Sequence, residues 1–172
     1  MNINHKVKEI IIRYSLILIL SLFYPFLNVI FSIPTIYASY GIISLFYPVS
    51  LLGNTISFNN IQVELIDACI AGLAYLLLIV LNLASQMPLK TRIKAISFSI
   101  FTFFVFNILR ISLLALLFSS NSQMFSYIHT FFWYFGSILA VFLIWIFSIK
   151  VFEIKNNPFI SDIKFILKNI KN

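Results

Sequence analysis

Residues 65–84, LIDACIAGLAYLLLIVLNLA, form an apolar run that contains one charged side chain. A run of about 20 residues can cross a hydrocarbon core of roughly 30 Å as an α-helix, in which one segment satisfies its own backbone hydrogen bonds. Three more runs of this kind occur, at residues 14–33, 95–118 and 129–149. The sequence therefore predicts about four spanning helices.

The overall composition is that of a membrane protein. Of the 172 residues, 61% are hydrophobic and 10% are charged, whereas a typical soluble domain has about 25% charged residues. This balance excludes a water-soluble fold. We expect a single domain over residues 1–172, an all-α polytopic membrane helix bundle. No internal repeat is visible, so a transporter built from inverted repeats has no support.

The basic residues indicate how the chain is oriented. The net charge is +7, and eleven of the twelve cations lie at the edges of the apolar runs. They are Lys6, Lys8, Arg13, Lys90, Arg92, Lys94, Lys150, Lys155, Lys164, Lys168 and Lys171. Because cytoplasmic segments carry the excess of Lys and Arg, both termini of this multi-pass plasma-membrane protein are predicted to be cytoplasmic. The same distribution argues against a nucleic acid partner.

The segment between the first two runs, residues 34–64, is predicted to be external. Its part 36–52 is apolar but is interrupted by Gly41 and Pro48. A crossing there would put the cations of residues 90–94 on the opposite side from those at the N-terminus. We therefore expect this part to be re-entrant, interfacial or packed on the outer surface of the bundle.

Three further patterns complete the organisation. Apolar and polar residues alternate on either side of Asn59-Asn60, which predicts a short external β-hairpin. In the tail, residues 150–172, apolar residues follow helical spacing on one face and lysines lie on the other face. This pattern predicts a cytoplasmic amphipathic helix that lies in the membrane plane. The first run exceeds the apolar core of a signal peptide, so an uncleaved anchor is expected.

Three polar residues fall near one depth in the predicted bundle. Cys69 is four residues, about 6 Å, below the outer end of the second span, and Arg110 is eight residues, about 12 Å, below that of the third. The arginine side chain can extend toward the shallower level. The loop 119–128 then leads to His129 at the start of the fourth span. Since burying an arginine costs about 2.5 to 3.5 kcal/mol on insertion scales, a function or a specific pairing is expected for Arg110.

Each residue alone also has a structural explanation. A single cysteine is usually a packing residue, an interfacial histidine is often hydrated, and an arginine can reach the interface.

Together the set suits acyl transfer, with Cys69 as nucleophile, His129 as acid and base, and Arg110 stabilising the thiolate or the oxyanion. Asn107, one turn before Arg110, lies on the same helix face. Asp67 would orient His129, pair with Arg110, or be an interfacial carboxylate at a helix start.

The order of these residues resembles the exosortase and archaeosortase family of membrane cysteine transpeptidases. The resemblance covers residues 51–149 and rests on Asp67-Ala68-Cys69-Ile70-Ala71-Gly72, on Asn107-Ile108-Leu109-Arg110-Ile111 and on His129. The commonest family motif has Ser-Gly or Thr-Gly after the cysteine, where this chain has Ile70-Ala71. In length the chain resembles the minimal archaeal members, such as the pacearchaeosortases, more than the longer bacterial exosortases.

The resemblance implies a thiol protease and transpeptidase that acts on secreted proteins with a C-terminal sorting tail, made of a short motif, a hydrophobic helix and a basic cluster. Cys69, Arg110 and His129 would be catalytic, and Asn107 and Asp67 would support them. Cleavage at the outer membrane face would form a thioester on Cys69. Transfer to an amine or lipid acceptor would then anchor the protein at the cell surface. The resemblance calls for no metal and no organic cofactor.

Two non-enzymatic interpretations stay open. In the first, the chain is a small membrane transport or assembly subunit, in which Arg110 and Asn107 line a polar cavity and Cys69 only packs. In the second, the basic tail recruits anionic lipid and the chain serves as an anchor, which leaves Arg110 unexplained. Retention of function by Cys69→Ala would favour the transport or assembly subunit over the enzyme.

Overall fold

The computed structural model describes residues 3–85, 87–120 and 123–154. Its helices are α1 (Ile3–Leu22), α2 (Tyr24–Ile43), α3 (Asp67–Ile70), α4 (Gly72–Ala84), α5 (Leu89–Ser119), α6 (Met124–Phe131) and α7 (Ser137–Val151). A π-helical segment, Phe132–Gly136, joins α6 to α7. Three strands lie between α2 and α3, namely β1 (Ser50–Leu52), β2 (Thr55–Phe58) and β3 (Ile61–Glu64).

Four helical stretches in the described part of the chain are long and apolar enough to cross a membrane. They are Tyr24–Ile43, Asp67–Ala84, Leu89–Ser119 and Met124–Val151. The prediction of an all-α polytopic membrane bundle is confirmed. The predicted amphipathic helix of residues 150–172 lies almost wholly outside the described residues, which end at 154.

The first span differs from its predicted boundaries. The apolar run 14–33 is divided at Phe23, where α1 has ended and α2 has not yet begun. Pro25 lies in the first turn of α2. Proline has no backbone N–H with which to continue a preceding helix, and its fixed φ suits a helix start. The helix then passes through Gly41 and ends only at Ile43.

The segment 36–52, predicted to be re-entrant, interfacial or packed outside the bundle, has two parts. Residues up to Ile43 complete α2, and Ile36 and Ile43 are buried between the sheet and α5. Pro48 lies beyond the helix end, ahead of β1. The apolar residues of this segment are therefore explained in part by packing against the rest of the chain.

The predicted hairpin is present, since β2 and β3 pair antiparallel across Asn59-Asn60. Both asparagines have positive φ, 46° and 60°, as the central residues of a type I′ turn require. The short strand β1, which the sequence did not reveal, pairs with the other side of β2. The buried face of the sheet packs in a cluster made of Ile36, Ile43, Ile56, Phe58, Leu65, Ile111 and Ala115. This cluster holds the sheet against α2 and α5.

A second buried cluster joins α4, α5 and α7. Its members are Tyr75, Leu78, Leu81, Phe103, Ala140, Val141 and Ile144. The ring of Tyr75 is fully buried, stacks on Phe31 of α2 at a centroid distance of 3.8 Å, and meets Phe103 edge-on at 5.0 Å. Because lipid removes the hydrophobic drive for helix association, close packing of this kind holds the bundle together.

Candidate active site

The predicted second span is interrupted two residues after Cys69. Ala71 has left-handed backbone angles, φ 62° and ψ 42°, between the end of α3 and the start of α4. The amide groups of Ala74 and Tyr75 donate to the carbonyl of Ala71, at 2.9 and 3.4 Å. The carbonyls of Cys69 and Ile70, on the other side of the break, are thus open to side chains from another helix.

Asn107 and Arg110 of α5 donate to these carbonyls. The Nδ2 of Asn107, which is fully buried, lies 2.9 Å from the Cys69 oxygen and 3.3 Å from the Ile70 oxygen. Arg110 donates from Nη2 to the Cys69 oxygen at 3.2 Å. Side chains three residues apart share one face of a helix, so both can contact the same turn. The Asn-x-x-Arg pattern therefore holds the backbone of the candidate nucleophile.

The other end of the guanidinium is held by α7. Arg110 donates from Nη1 to the hydroxyl oxygen of Ser137 at 2.6 Å. Ser137 follows the π-helical segment, and its hydroxyl donates to the carbonyl oxygen of Phe132 at 3.5 Å. A π-turn holds one residue more than an α-turn, so it rotates the residues after it by about 100° relative to those before. Ser137 was not singled out from the sequence, where a serine after a glycine in an apolar run is a weak signal.

Asn28 of α2 is a second residue that the sequence analysis missed. Its Oδ1 accepts a hydrogen bond from the backbone N–H of Gly72 at 2.8 Å, and the side chain is buried. Gly72 is the first residue of α4, so its N–H has no acceptor within that helix. A side chain at Gly72 would overlap the Asn28 amide. The feature of the sequence that could have indicated Asn28 is its position as a single asparagine in an apolar run.

We expect Asn28→Ala to lower the free energy of unfolding by about 1 to 3 kcal/mol, because the buried N–H of Gly72 loses its acceptor. Unfolding in mixed detergent micelles, followed by circular dichroism, measures the change. Thr35→Val on the same helix is the matched control, since the buried Thr35 hydroxyl has no partner among the described residues. An equal loss in both variants would contradict the role given to Asn28.

Ala71 occupies the position at which the resembled family motif has glycine. The left-handed conformation costs a non-glycine residue roughly 1 to 2 kcal/mol, whereas glycine adopts it freely. The structure thus gives a backbone reason for a glycine two residues after the cysteine. In this chain the hydrogen bonds that Asn28, Asn107 and Arg110 make around the break offset the cost at Ala71.

The break opens onto a cavity of about 870 Å³. Cys69, Arg110, His129 and Asp67 all line it, and the Cys69 side chain is partly exposed. Asn107 is fully buried and is not among the residues that line the cavity. Much of the remaining lining is apolar and comes from α4, α5 and α7, at Leu73, Ala74, Leu77, Leu114, Ile138 and Val141.

The predicted site residues share the cavity without all being in contact. His129 is exposed, lies within α6 and stacks on Phe125 at a centroid distance of 5.4 Å. α6 begins at Met124, five residues before the predicted start of the span. Within the described ranges, no hydrogen bond joins His129 to Cys69, and none joins Asp67 to Arg110 or His129.

A comparison with known protein families finds a match. The family model for the transmembrane exosortase matches residues 8–147. No curated protein and no solved structure matches the chain. The matched region contains the interrupted helix with Cys69, the Asn107 and Arg110 pair, and His129. Because the family model covers well over half of the sequence, the chain belongs to the transmembrane exosortase family.

Proposed function

We propose that this chain is a cysteine transpeptidase that removes the C-terminal sorting tail of secreted proteins through a thioester on Cys69. Exosortases in general are membrane transpeptidases that act on secreted proteins with C-terminal sorting signals. The acceptor in this proposal is a membrane lipid. The observation that carries the proposal is the common cavity, which is lined by a partly exposed thiol, an arginine and a histidine.

The proposed reaction has two steps. The Cys69 sulfur attacks the carbonyl carbon before the tail while His129, after a side-chain movement or through one water molecule, takes the thiol proton. His129 then returns that proton to the leaving amine. The tail departs and a thioester remains on Cys69. A hydroxyl or amine of the acceptor next attacks the thioester, gives its proton to His129, and the thiolate leaves. Proton return from His129 restores the thiol.

Arg110 has two roles in this scheme. Its contacts to the Cys69 carbonyl and to Ser137 orient both the guanidinium and the nucleophile's backbone. Its positive charge stabilises the thiolate and the oxyanion that develops at the attacked carbonyl. The largely apolar lining of the cavity strengthens this electrostatic interaction. Asp67, exposed at the start of α3, would orient His129 only after a side-chain movement.

The apolar part of the cavity supports a tail as the substrate. A hydrophobic helix of the tail can lie along Leu73, Leu77 and Val141 while the bond to be cleaved lies at Cys69. The transport or assembly alternative expects Asn107 to line a polar cavity. Asn107 is instead buried against two backbone carbonyls, so this alternative gains no support.

We further propose that the sheet and Cys69 lie toward the outer face and that both termini are cytoplasmic. α5 begins beside Lys90 and ends beside the sheet, where Asn59 donates to the carbonyl of Ser119 at 3.3 Å. The cationic and sheet ends of the bundle are thus opposite ends. Positive residues favour the cytoplasmic side.

The orientation is tested by labelling single cysteines on intact cells with an impermeant reagent. The chain has one cysteine, so a Cys69→Ala background carries none. Asn59→Cys is expected to react on intact cells, and Lys90→Cys only after the membrane is opened. Labelling of position 90 but not of position 59 on intact cells would reverse the proposed orientation.

The function is tested with a reporter that ends in a C-terminal sorting tail, chosen from the secreted proteins of the source organism. Co-expression with the wild-type chain is expected to shorten the reporter, and mass spectrometry is expected to find a lipid adduct at the new C-terminus. A shortened reporter with a free carboxylate would indicate hydrolysis and remove the lipid acceptor. A reporter that stays whole would overturn the proposed function.

Membership of the archaeal subtype stays a prediction.

A further inference from the structure

β3 is an edge strand whose outer backbone groups are unpaired. Its partner β2 pairs Phe58 with Ile61 across the two-residue turn and Ile56 with Val63. In an antiparallel ladder, hydrogen-bonded pairs alternate with non-hydrogen-bonded pairs, and the pair that closes a two-residue hairpin is hydrogen-bonded. The N–H and C=O groups of Gln62 and Glu64 therefore point away from β2.

This open edge forms part of the wall of the site cavity. Gln62 and Glu64 line the same cavity as Cys69. In the three-stranded order β1-β2-β3, no other strand of the described chain pairs with the outer side of β3. A sheet edge is a template for another extended chain, which supplies the missing backbone partners. The cavity thus contains an unfilled strand position beside the candidate nucleophile.

The chain direction selects the orientation of the added strand. β3 leads through Leu65 and Ile66 into α3, which carries Cys69. A sorting tail has its short motif before its hydrophobic helix. Its chain must therefore run from the sheet toward Cys69 and then into the apolar part of the cavity. A strand with this direction is parallel to β3, whereas an antiparallel strand would carry the hydrophobic helix away from the apolar walls.

We propose that the substrate segment just before the cleaved bond binds as a fourth strand, parallel to β3. This inference rests on the proposed function and adds how the substrate is recognised. One substrate residue donates its N–H to the Gln62 carbonyl and accepts, through its own carbonyl, the N–H of Glu64, as in a parallel ladder. Recognition through the backbone selects an extended conformation and leaves side-chain selection to the cavity walls.

The test is disulfide cross-linking in the Cys69→Ala background, which holds the substrate without cleaving it. Gln62→Cys is combined with the reporter, which carries a single cysteine at successive positions before the bond to be cleaved. Adjacent strands lie about 4.8 Å apart, within the Cα separation that a disulfide spans, and alternate residues point to opposite faces. A strong cross-link is therefore expected at the one position that faces Gln62, with at most weak ones two residues away, and none at the two adjacent positions, which point to the opposite face.

Ser50→Cys is the matched control. Ser50 pairs with Ser57, which pairs with Gln62, so Ser50 lies on the same rung at the far edge of the sheet. Ser50 lies about two strand spacings from β3 and about three from the added strand, which is on the other side of β3. This distance is too large for a disulfide cross-link. Cross-links at helical spacing, or none, with a reporter that the wild type cleaves would overturn the added strand alone. A reporter that the wild type leaves whole would overturn the proposed function, and this inference with it.

Discussion

Cys69→Ala is expected to abolish removal of the reporter tail, and Cys69→Ser is expected to leave at most a trace of activity. Loss of a catalytic nucleophile lowers the rate by about a thousandfold or more. A hydroxyl is far less acidic than a thiol, so the serine variant lacks the anion that the site would stabilise. Both variants keep the side chain small at a partly exposed position, and both are expected to fold.

The assay measures uncleaved and cleaved reporter on a gel over time, at matched amounts of each variant in the membrane. Ser148→Ala is a control of similar size. Ser148 is buried near the end of α7, and its hydroxyl has no partner among the described residues. This control is expected to cleave the reporter at the wild-type rate. Normal cleavage by Cys69→Ala would instead favour the non-enzymatic transport or assembly subunit.

Arg110→Lys is expected to insert normally and to lose most of the cleavage rate, by about 10- to 100-fold. The guanidinium holds the Cys69 carbonyl and the Ser137 hydroxyl at once, through two nitrogens in one plane. A lysine keeps the positive charge but has one nitrogen on a flexible stem. A displacement of about 1 Å at a reacting group can cost 100-fold in rate. Arg110→Ala also loses the charge and should be slower still.

Arg92→Lys is the matched control for the arginine exchange. Arg92 is near the start of the same helix, where it donates from Nη2 to the carbonyls of Ser85 and Met87. This exchange is expected to leave cleavage unchanged. If Arg110 only anchors its helix at the interface, lysine should replace it almost fully. Near-wild-type cleavage by Arg110→Lys would remove the two-point contact from the mechanism, and near-wild-type cleavage by Arg110→Ala would remove Arg110 from the site.

Hydropathy along the sequence predicted the membrane bundle because a lipid core accepts only long apolar helices or closed barrels. The cost of a buried arginine singled out Arg110, and helical spacing added Asn107. The alternation of apolar and polar residues around Asn59-Asn60 predicted the hairpin, because successive side chains of a strand point to opposite faces. These features depend on local conformation or on the solvent, so they are readable residue by residue. The catalytic roles of Cys69, Arg110 and His129 stay predictions.

Only the tertiary structure showed the features that depend on contacts between distant segments. Ala71 has no local reason to adopt a left-handed conformation, which three side chains from α2 and α5 stabilise by hydrogen bonds around the break. Asn28 and Ser137 become informative only when Gly72 and Arg110 are found beside them. The sequence by itself determined the class of fold, a bundle of about four apolar helices, and placed Cys69, Asn107 and Arg110 within it, although the boundaries of the first span differ. The packing of α2, α5 and α7 around the interrupted helix decided what those side chains bind, because a buried polar group must take its hydrogen-bond partner from whatever the fold places next to it.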